Sequence, residues 1–557
     1  MNSTPTPALV PRRAAQRLPR LVLLLFCAAY VLPGLFGREP WKNADITAFG
    51  YMANIARGAS PWSEPAVAGL GADGALLPYW LGAAFIKTLP WLDAALAARV
   101  PFALLLAAVL ALVWYATFHL ARTEAAQPLA FAFGGEADAV DYARAIADGA
   151  LLALIASLGL LQLGHETTPE LAQLSATALF VYALAASPYR TSKARIAVLA
   201  ALPALTASGA PAIAVGIGAV GALVCARSRY DAVRRFAPWV VASTALAVVL
   251  AFALRVWAWR VAPPLTADAL WSTGRLFVWF TWPAWPLVLW TLWRWRAHLT
   301  HRHISVPLGT ALVAAAACVA MGGSDRALML ALPSLAVLAA FALPTLQRSV
   351  SAAIDWFSVF FFSLCALVIW VVYVAMQTGT PAKPAANVAR LAPGFVAPFS
   401  AIELAFAVAG TLAWLWLVRW RTARHREALW KSLVLPAAGV ALSWLLLMTL
   451  WLPLLDYARS YRPLLERLAA HVPREACIAA PGLPRSQLAA LEVMGGWRVD
   501  AVTPHTDTPC EFLMTIGRPR GDPPVVEGWT HVARERRPTD RDEATLVYRR
   551  GSTAGSR

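Results

Sequence analysis

Leu21-Val22-Leu23-Leu24-Leu25-Phe26-Cys27-Ala28-Ala29-Tyr30-Val31-Leu32-Pro33-Gly34-Leu35-Phe36-Gly37 runs seventeen residues without a charge. It is followed at once by Arg38-Glu39-Pro40-Trp41-Lys42-Asn43-Ala44-Asp45. The first stretch is just long enough to cross the hydrocarbon of a bilayer, and the second restores charge where such a crossing ends. Arg12, Arg13, Arg17 and Arg20 precede the run, the pattern of a signal peptide. No small-residue cleavage site follows, so the reading is a retained first span.

The same alternation continues to Leu452. About thirteen apolar stretches follow one another, at 21–37, 98–121, 148–164, 169–187, 194–208, 210–226, 236–257, 277–293, 305–321, 328–345, 354–376, 399–419 and 431–452. Composition agrees: 59% of the 557 residues are hydrophobic and 14% charged, with 25 Trp and a mean hydropathy of +0.57. This describes a chain solvated mainly by lipid and excludes an ordinary soluble globule. The net charge of +17 comes from Lys and Arg scattered through short gaps, which form no continuous basic face, so no nucleic-acid partner is expected.

Those basic residues fall in alternate gaps. With the N-terminus cytoplasmic, the cytoplasmic gaps hold Arg190, Lys193 and Arg195; Arg227, Arg229, Arg234 and Arg235; Arg294, Arg296 and Arg302; and Arg419, Arg421, Arg424, Arg426 and Lys431. The opposite gaps are poor in positive charge, which fixes one orientation and places the C-terminal segment outside. One cytoplasmic gap, 123–148, is acidic, with Glu124, Glu136, Asp138, Asp141 and Asp148; it reads as a solvated or interfacial connector with a helix at Val140 to Ala147. The Trp residues from Trp271 to Trp295 read as an interfacial belt.

Domain organisation follows: a transmembrane module over 1–455 with a first external loop at 38–78, a small α/β domain over 456–550, and a disordered tail at 551–557. In the α/β domain Cys477 to Ala480, Trp497 to Val502, Phe512 to Ile516 and Ala544 to Tyr548 read as strands and Ser486 to Met494 as a helix. Cys27, Cys225, Cys318 and Cys365 lie in or beside spans as packing residues. Cys477 and Cys510 are the only two in the domain assigned to an oxidising compartment, so a disulfide is expected, the alternative being two buried thiols. No CxxC metal motif occurs.

The order of motifs after the first span carries the chemistry. Gly37 to Asp45 is followed by Tyr51-Met52-Ala53-Asn54-Ile55-Ala56-Arg57-Gly58, by Pro61-Trp62-Ser63-Glu64-Pro65, and by Leu77-Pro78-Tyr79-Trp80-Leu81-Gly82-Ala83. This series resembles the first external loop of the GT-C glycosyltransferases of family 39, which includes bacterial lipid A aminoarabinose transferases and protein O-mannosyltransferases. The resemblance implies a GT-C fold and makes Asp45 the catalytic carboxylate, able to orient an acceptor hydroxyl and take its proton. It also implies that Tyr79 and Trp80 line the substrate. One departure is plain: the aminoarabinose transferases carry an acidic-basic pair before the Pro of this element, and here Gly74-Ala75-Leu76-Leu77-Pro78 has none.

Two further matches lie in external gaps. Gly164-His165-Glu166-Thr167-Thr168-Pro169-Glu170 stands where family members carry an Asp, which implies Glu170 or Glu166 as a second catalytic carboxylate with His165 nearby; the bland alternative is a helix N-terminal carboxylate favoured by the dipole. Gly323-Ser324-Asp325-Arg326-Ala327-Leu328-Met329-Leu330-Ala331-Leu332-Pro333 resembles the family's basic-plus-Leu-Pro motif, without its Tyr, and implies Arg326 as a ligand of a carrier phosphate, shared with Arg275 and Arg260. No nucleotide-binding fingerprint occurs. The resemblance thus implies a bacterial inner-membrane protein with a periplasmic C-terminal domain, a donor carried on polyprenyl phosphate and a lipid, glycan or protein acceptor, with no certain cofactor, no metal site read from the sequence and a divalent metal left open. The alternatives from other classes are a transporter or lipid flippase, for which internal inverted repeats are expected, and a noncatalytic scaffold.

Overall fold

The computed structural model describes residues 6–257, 261–264, 266–422 and 428–551. Every one of the apolar stretches contains helix. Among the described residues eight helices are long and apolar enough to cross a membrane, or nine when Ala267–Phe280 and Ala284–Arg294 count as one span bent by 88°. The stretches at 21–37 and 210–226 form the shorter apolar helices Arg20–Val31 and Pro211–Ala226, and those at 148–164 and 194–208 begin within helices Ala139–Ala156 and Thr191–Ala207, which are not among the eight. The chain is a multi-pass membrane protein. The bend has a local cause: Pro283 has no N–H to continue the helical ladder and disfavours helix at the residue before it.

Contacts divide the chain into two units, Met1–Gly34 with Phe102–Val368 and Glu403–Thr449, and Leu35–Pro101 with Ile369–Ile402 and Leu450–Arg557. In the first, Thr191–Ala207 packs against Pro169–Ala186 and Ala237–Ala253, and Leu332–Ala340 against Ala139–Ala156. Lipid supplies no hydrophobic drive between such helices, so small residues that allow close approach do the work. Two expectations are corrected here. The acidic gap is not solvated to its end: a helix capped by the Asp138 carboxylate starts at Ala139, and Asp148 within it is buried, accepting hydrogen bonds from Leu18 N at 2.8 Å and Trp114 Nε1 at 2.8 Å. A buried carboxylate must find donors, and these two meet the need. Nor is the Trp cluster wholly a belt, because Trp295 is fully buried and donates to the Phe341 carbonyl.

The second unit holds the loop after the first span, helices Ala44–Arg57 and Leu77–Thr88, and a short antiparallel pair, β1 (Ala66–Val67) and β2 (Leu70–Gly71). Its C-terminal part is a five-stranded sheet of β3 (Cys477–Ala479), β4 (Arg498–Asp500), β5 (Phe512–Gly517), β6 (Trp529–Glu535) and β7 (Ala544–Arg550) in the order β4-β3-β5-β7-β6. β3 pairs in parallel with β4 and β5, and β7 antiparallel with β5 and β6. Sequence reading missed β6, an edge strand whose polar and mostly half-exposed residues lack a buried face. The expected helix is present as Arg485–Ala489 with a π turn over Ala490–Met494. It closes on Ala44–Arg57 at Gly50, where an added Cβ would stand 2.6 Å from that of Ala489. Cys477 and Cys510 are joined by a disulfide, with Cys510 in the core beside Ala479, Leu513, Leu546 and Tyr548. Residues 552–557, most of the expected tail, lie outside the described residues.

Candidate active site

In the second unit the loop between the first span and helix Ala44–Arg57 is wrapped around two carboxylates. Asn43 takes φ 72°, a left-handed conformation that Asn tolerates better than most residues. The turn brings the Trp41 N–H to Asp45 Oδ2 at 3.1 Å, and the same oxygen accepts from Arg38 Nη2 at 3.4 Å. Asp45 and Arg38 are 2% and 3% exposed. A buried carboxylate survives ionised only with such partners, and removing either partner leaves the other charge uncompensated.

The second carboxylate, Asp456, comes from helix Leu452–Arg459. Its Oδ1 accepts from the Trp41 indole at 2.7 Å, and both its oxygens face the Glu39 N–H at 3.3 to 3.4 Å. Two guanidiniums stand over the Trp41 ring in cation–π contact, Arg38 at 4.8 Å and Arg459 at 4.9 Å. Burial pushes the Asp456 carboxyl up to about 6; the Trp41 hydrogen bond opposes this, the Glu39 carboxylate adds to it, and the Glu39 N–H and Arg38 oppose it further. Arg99, 5% exposed, donates to the Leu35 carbonyl at 3.4 Å and lies within electrostatic reach of Arg38, Asp45 and Asp456. Sequence reading took Asp45 from this cluster and missed Arg38, Trp41, Arg99 and Asp456. The only available signal was that Asp456 closes the last apolar run.

Tyr79 and Trp80 stand on helix Leu77–Thr88 of the same unit. Tyr79 is buried with its ring 4.9 Å from that of Tyr51, and Trp80 donates its indole hydrogen to the Trp62 carbonyl at 2.6 Å.

In the first unit, three residues singled out for separate roles form one network. Arg326 Nη2 donates to Glu166 Oε2 at 2.6 Å, and Nη1 donates to Glu170 Oε2 at 3.1 Å and Thr168 Oγ1 at 3.2 Å. Glu166 also accepts from Gln162 Nε2 at 2.9 Å and has a side chain 5% exposed, whereas those of Glu170 and Arg326 are about a quarter exposed. Local sequence places each group: Pro169 opens the helix that presents Glu170 in its first turn, and Ser324 accepts from Ala327 N at the start of Asp325–Met329. Gly323, at φ 85°, leaves room for Thr273 Oγ1, which an added Cβ would meet at 2.7 Å. Two carboxylates on one guanidinium carry a net negative charge, held by bonds of the strong charge-assisted kind.

His165 lies apart from this network. Its ring nitrogens face the carbonyl oxygens of Leu161 and Tyr30 at 2.7 and 2.8 Å, and its ring packs 4.5 Å from Trp444. Arg275 is exposed on Ala267–Phe280, with no ion pair among the described residues, and Arg260 lies outside the described residues. Among the described residues no group of three or more His, Cys, Asp or Glu is arranged to hold a metal ion.

No family model matches the sequence, and no curated protein matches it. Two crystal structures of ArnT from Cupriavidus metallidurans are similar along nearly the whole chain. The apo structure gives a TM-score of 0.59 at 14% identity, covering 95% of this chain and 98% of that one. The structure bound to undecaprenyl phosphate gives 0.59 at 13% identity, covering 97% and 98%. The chain thus has the polytopic GT-C fold with a small C-terminal α/β domain.

Proposed function

We propose that this chain is a membrane glycosyltransferase that moves a sugar from a polyprenyl phosphate carrier to an acceptor at the periplasmic face. The observation that carries the reading is Asp45: a carboxylate in the first loop after the first span, buried with its own guanidinium, in a chain sharing its fold end to end with a protein crystallised with undecaprenyl phosphate. In this reading Asp45 orients the acceptor hydroxyl and takes its proton as the bond from acceptor oxygen to the anomeric carbon forms. The bond from that carbon to the phosphate oxygen breaks, and the carrier leaves as polyprenyl phosphate. Trp41 and Arg38 hold the carboxylate, while Tyr79 and Trp80 contribute to the substrate surface.

The Arg326 network suits capture of the carrier phosphate by exchange. Glu166 is buried and held by Gln162, so it stays, whereas Glu170 is at the exposed rim and is the group a phosphate displaces from Arg326 Nη1. Transport of a lipid-linked substrate is less well supported. Broken helices in matching halves are expected of such transporters, and among the described residues one bent pair occurs.

The test is a strain lacking the protein together with the purified protein. Loss should accumulate one polyprenyl phosphate sugar, and the protein in detergent should release free polyprenyl phosphate from it when the acceptor is added. Accumulation without any turnover in detergent would favour movement of the lipid over transfer.

A further inference from the structure

The C-terminal sheet carries a second charged feature that the transfer reading does not use. A cavity of about 600 Å³ is walled by Arg518 and Arg520 from the loop after β5, by Arg536, Thr539 and Arg541 after β6, and by Arg390, Leu391 and Pro393 at the end of helix Ala382–Leu391. A smaller one of about 270 Å³ shares Arg520 and Arg536 and adds Arg467 and Arg534. Among the described residues none of these seven arginines has a carboxylate within ion-pair distance. Of the carboxylates that line the walls, Asp540 pairs with Arg537 and Lys42 and Glu535 bonds to His471, while Asp542 stands in the larger cavity's wall next to Arg541 in the chain, one negative charge against the larger cavity's five arginines. Seven such guanidiniums around two adjoining cavities concentrate positive charge in this part of the C-terminal domain. Like charges held together repel, and an anion relieves that repulsion.

The walls are built, not trailing. Arg534 donates to the carbonyls of Pro519 and Gly521, and Tyr548 to that of Pro524 at 2.9 Å, so the loop bearing Arg518 and Arg520 is tied to the sheet at both ends. The other wall is tied by Tyr457, which donates to the Pro393 carbonyl at 2.6 Å, and by Gln377, which donates to that of Pro398 at 3.1 Å. Lys383, Asn387 and Arg390 stand on one stripe of Ala382–Leu391, with Ala, Val and Leu on the other. This segment joins two membrane-spanning helices and so lies at the membrane surface. It exposes Leu391, which lines the cavity, and then Val396, Phe399 and Ile402 further along, at 54%, 84%, 65% and 72%.

A cationic cavity with an apolar, membrane-level edge fits one kind of ligand. We propose that it binds the phosphate headgroup of an anionic membrane lipid, with the phosphate among Arg518, Arg520, Arg536 and Arg541 and the acyl chains along Leu391 to Ile402. Arginine is suited to this because its planar fork grips phosphate through two hydrogen bonds. The proposal stands whether or not the chain transfers sugar.

The experiment is native mass spectrometry of the full-length protein in detergent with equal phosphatidylglycerol and phosphatidylcholine. Wild type should retain phosphatidylglycerol preferentially. The variants R518Q/R520Q/R541Q and, on other elements, R390Q/R536Q should each lower that preference at least about tenfold. A control that removes the same charge elsewhere, R227Q/R229Q/R235Q, should keep it, and millimolar inorganic phosphate should not displace the lipid. Full retention by both cavity variants would overturn the proposal, as would an equal loss in the control. Displacement by inorganic phosphate would overturn the lipid assignment and leave a free-anion site.

Discussion

Asp456 accepts a hydrogen bond of 2.7 Å from the indole of Trp41, 415 positions earlier in the chain. The bond ties helix Leu452–Arg459 to the loop that holds Asp45, through a ring that Arg38 and Arg459 both contact. Any disturbance of Asp456 therefore reaches the candidate catalytic carboxylate through one side chain.

Asp45→Asn keeps shape and most hydrogen bonding but cannot accept a proton. Turnover with saturating carrier should fall by about 10²- to 10⁴-fold at unchanged membrane level. Activity near wild type would remove Asp45 from the mechanism. Either substitution leaves a buried charge without its ionic partner, so Arg38→Ala and Asp45→Asn should each lower stability, by up to about 3–5 kcal/mol. Turnover per folded molecule, with the folded fraction set by thermal unfolding, separates loss of the proton acceptor from loss of fold.

Arg326→Ala should raise the KM for the lipid-linked donor by about tenfold or more, since each hydrogen bond between charged groups contributes about 1.5–3 kcal/mol. Glu170→Gln removes the carboxylate that competes for Arg326 Nη1, so it should leave that KM unchanged or lower. Steady-state kinetics with varied donor checks both. A KM raised equally by both variants would refute the exchange of Glu170 for phosphate.

Asp456 gives a pH signature. Burial raises its carboxyl to about 6 in the folded chain, above the ordinary carboxylate range of about 4 that it has when unfolded, so between those values the folded state binds more protons and stability falls as pH rises. Asp456→Asn lacks this loss. The unfolding midpoint of Asp456→Asn minus that of wild type should therefore grow from about pH 4 to about pH 6 and then level off. A difference that shrinks over that range would contradict the burial argument.

The orientation is tested by fusion. Alkaline phosphatase joined after Arg557 should be active and joined near Arg229 inactive. The reverse pattern would invert the sidedness proposed for every site.

Cys477 and Cys510, separated by 33 positions, should appear linked in a nonreducing peptide map, and Cys510→Ser should cost about 3–4 kcal/mol in stability of the C-terminal sheet. Alkylation of both thiols in unreduced protein would exclude the bond.

Local signals determined much of this protein. The length of each apolar run and the charges between runs are properties of consecutive residues, and each run contains helix in the structure, though several, such as 277–293, are broken into more than one. The order of short motifs around Asp45, Glu166 and Arg326 pointed to the GT-C fold that nearly the whole chain adopts. Strands β3, β4, β5 and β7 were legible from their apolar alternation, while β6 was not, because an edge strand half in water carries no such pattern. The groupings came only from tertiary structure. Arg326 lies 160 positions from Glu166, and Trp41 lies 415 from Asp456. A buried charge selects its partner by closeness in space and by the cost of having none, and neither quantity is written in the spacing of residues along the chain.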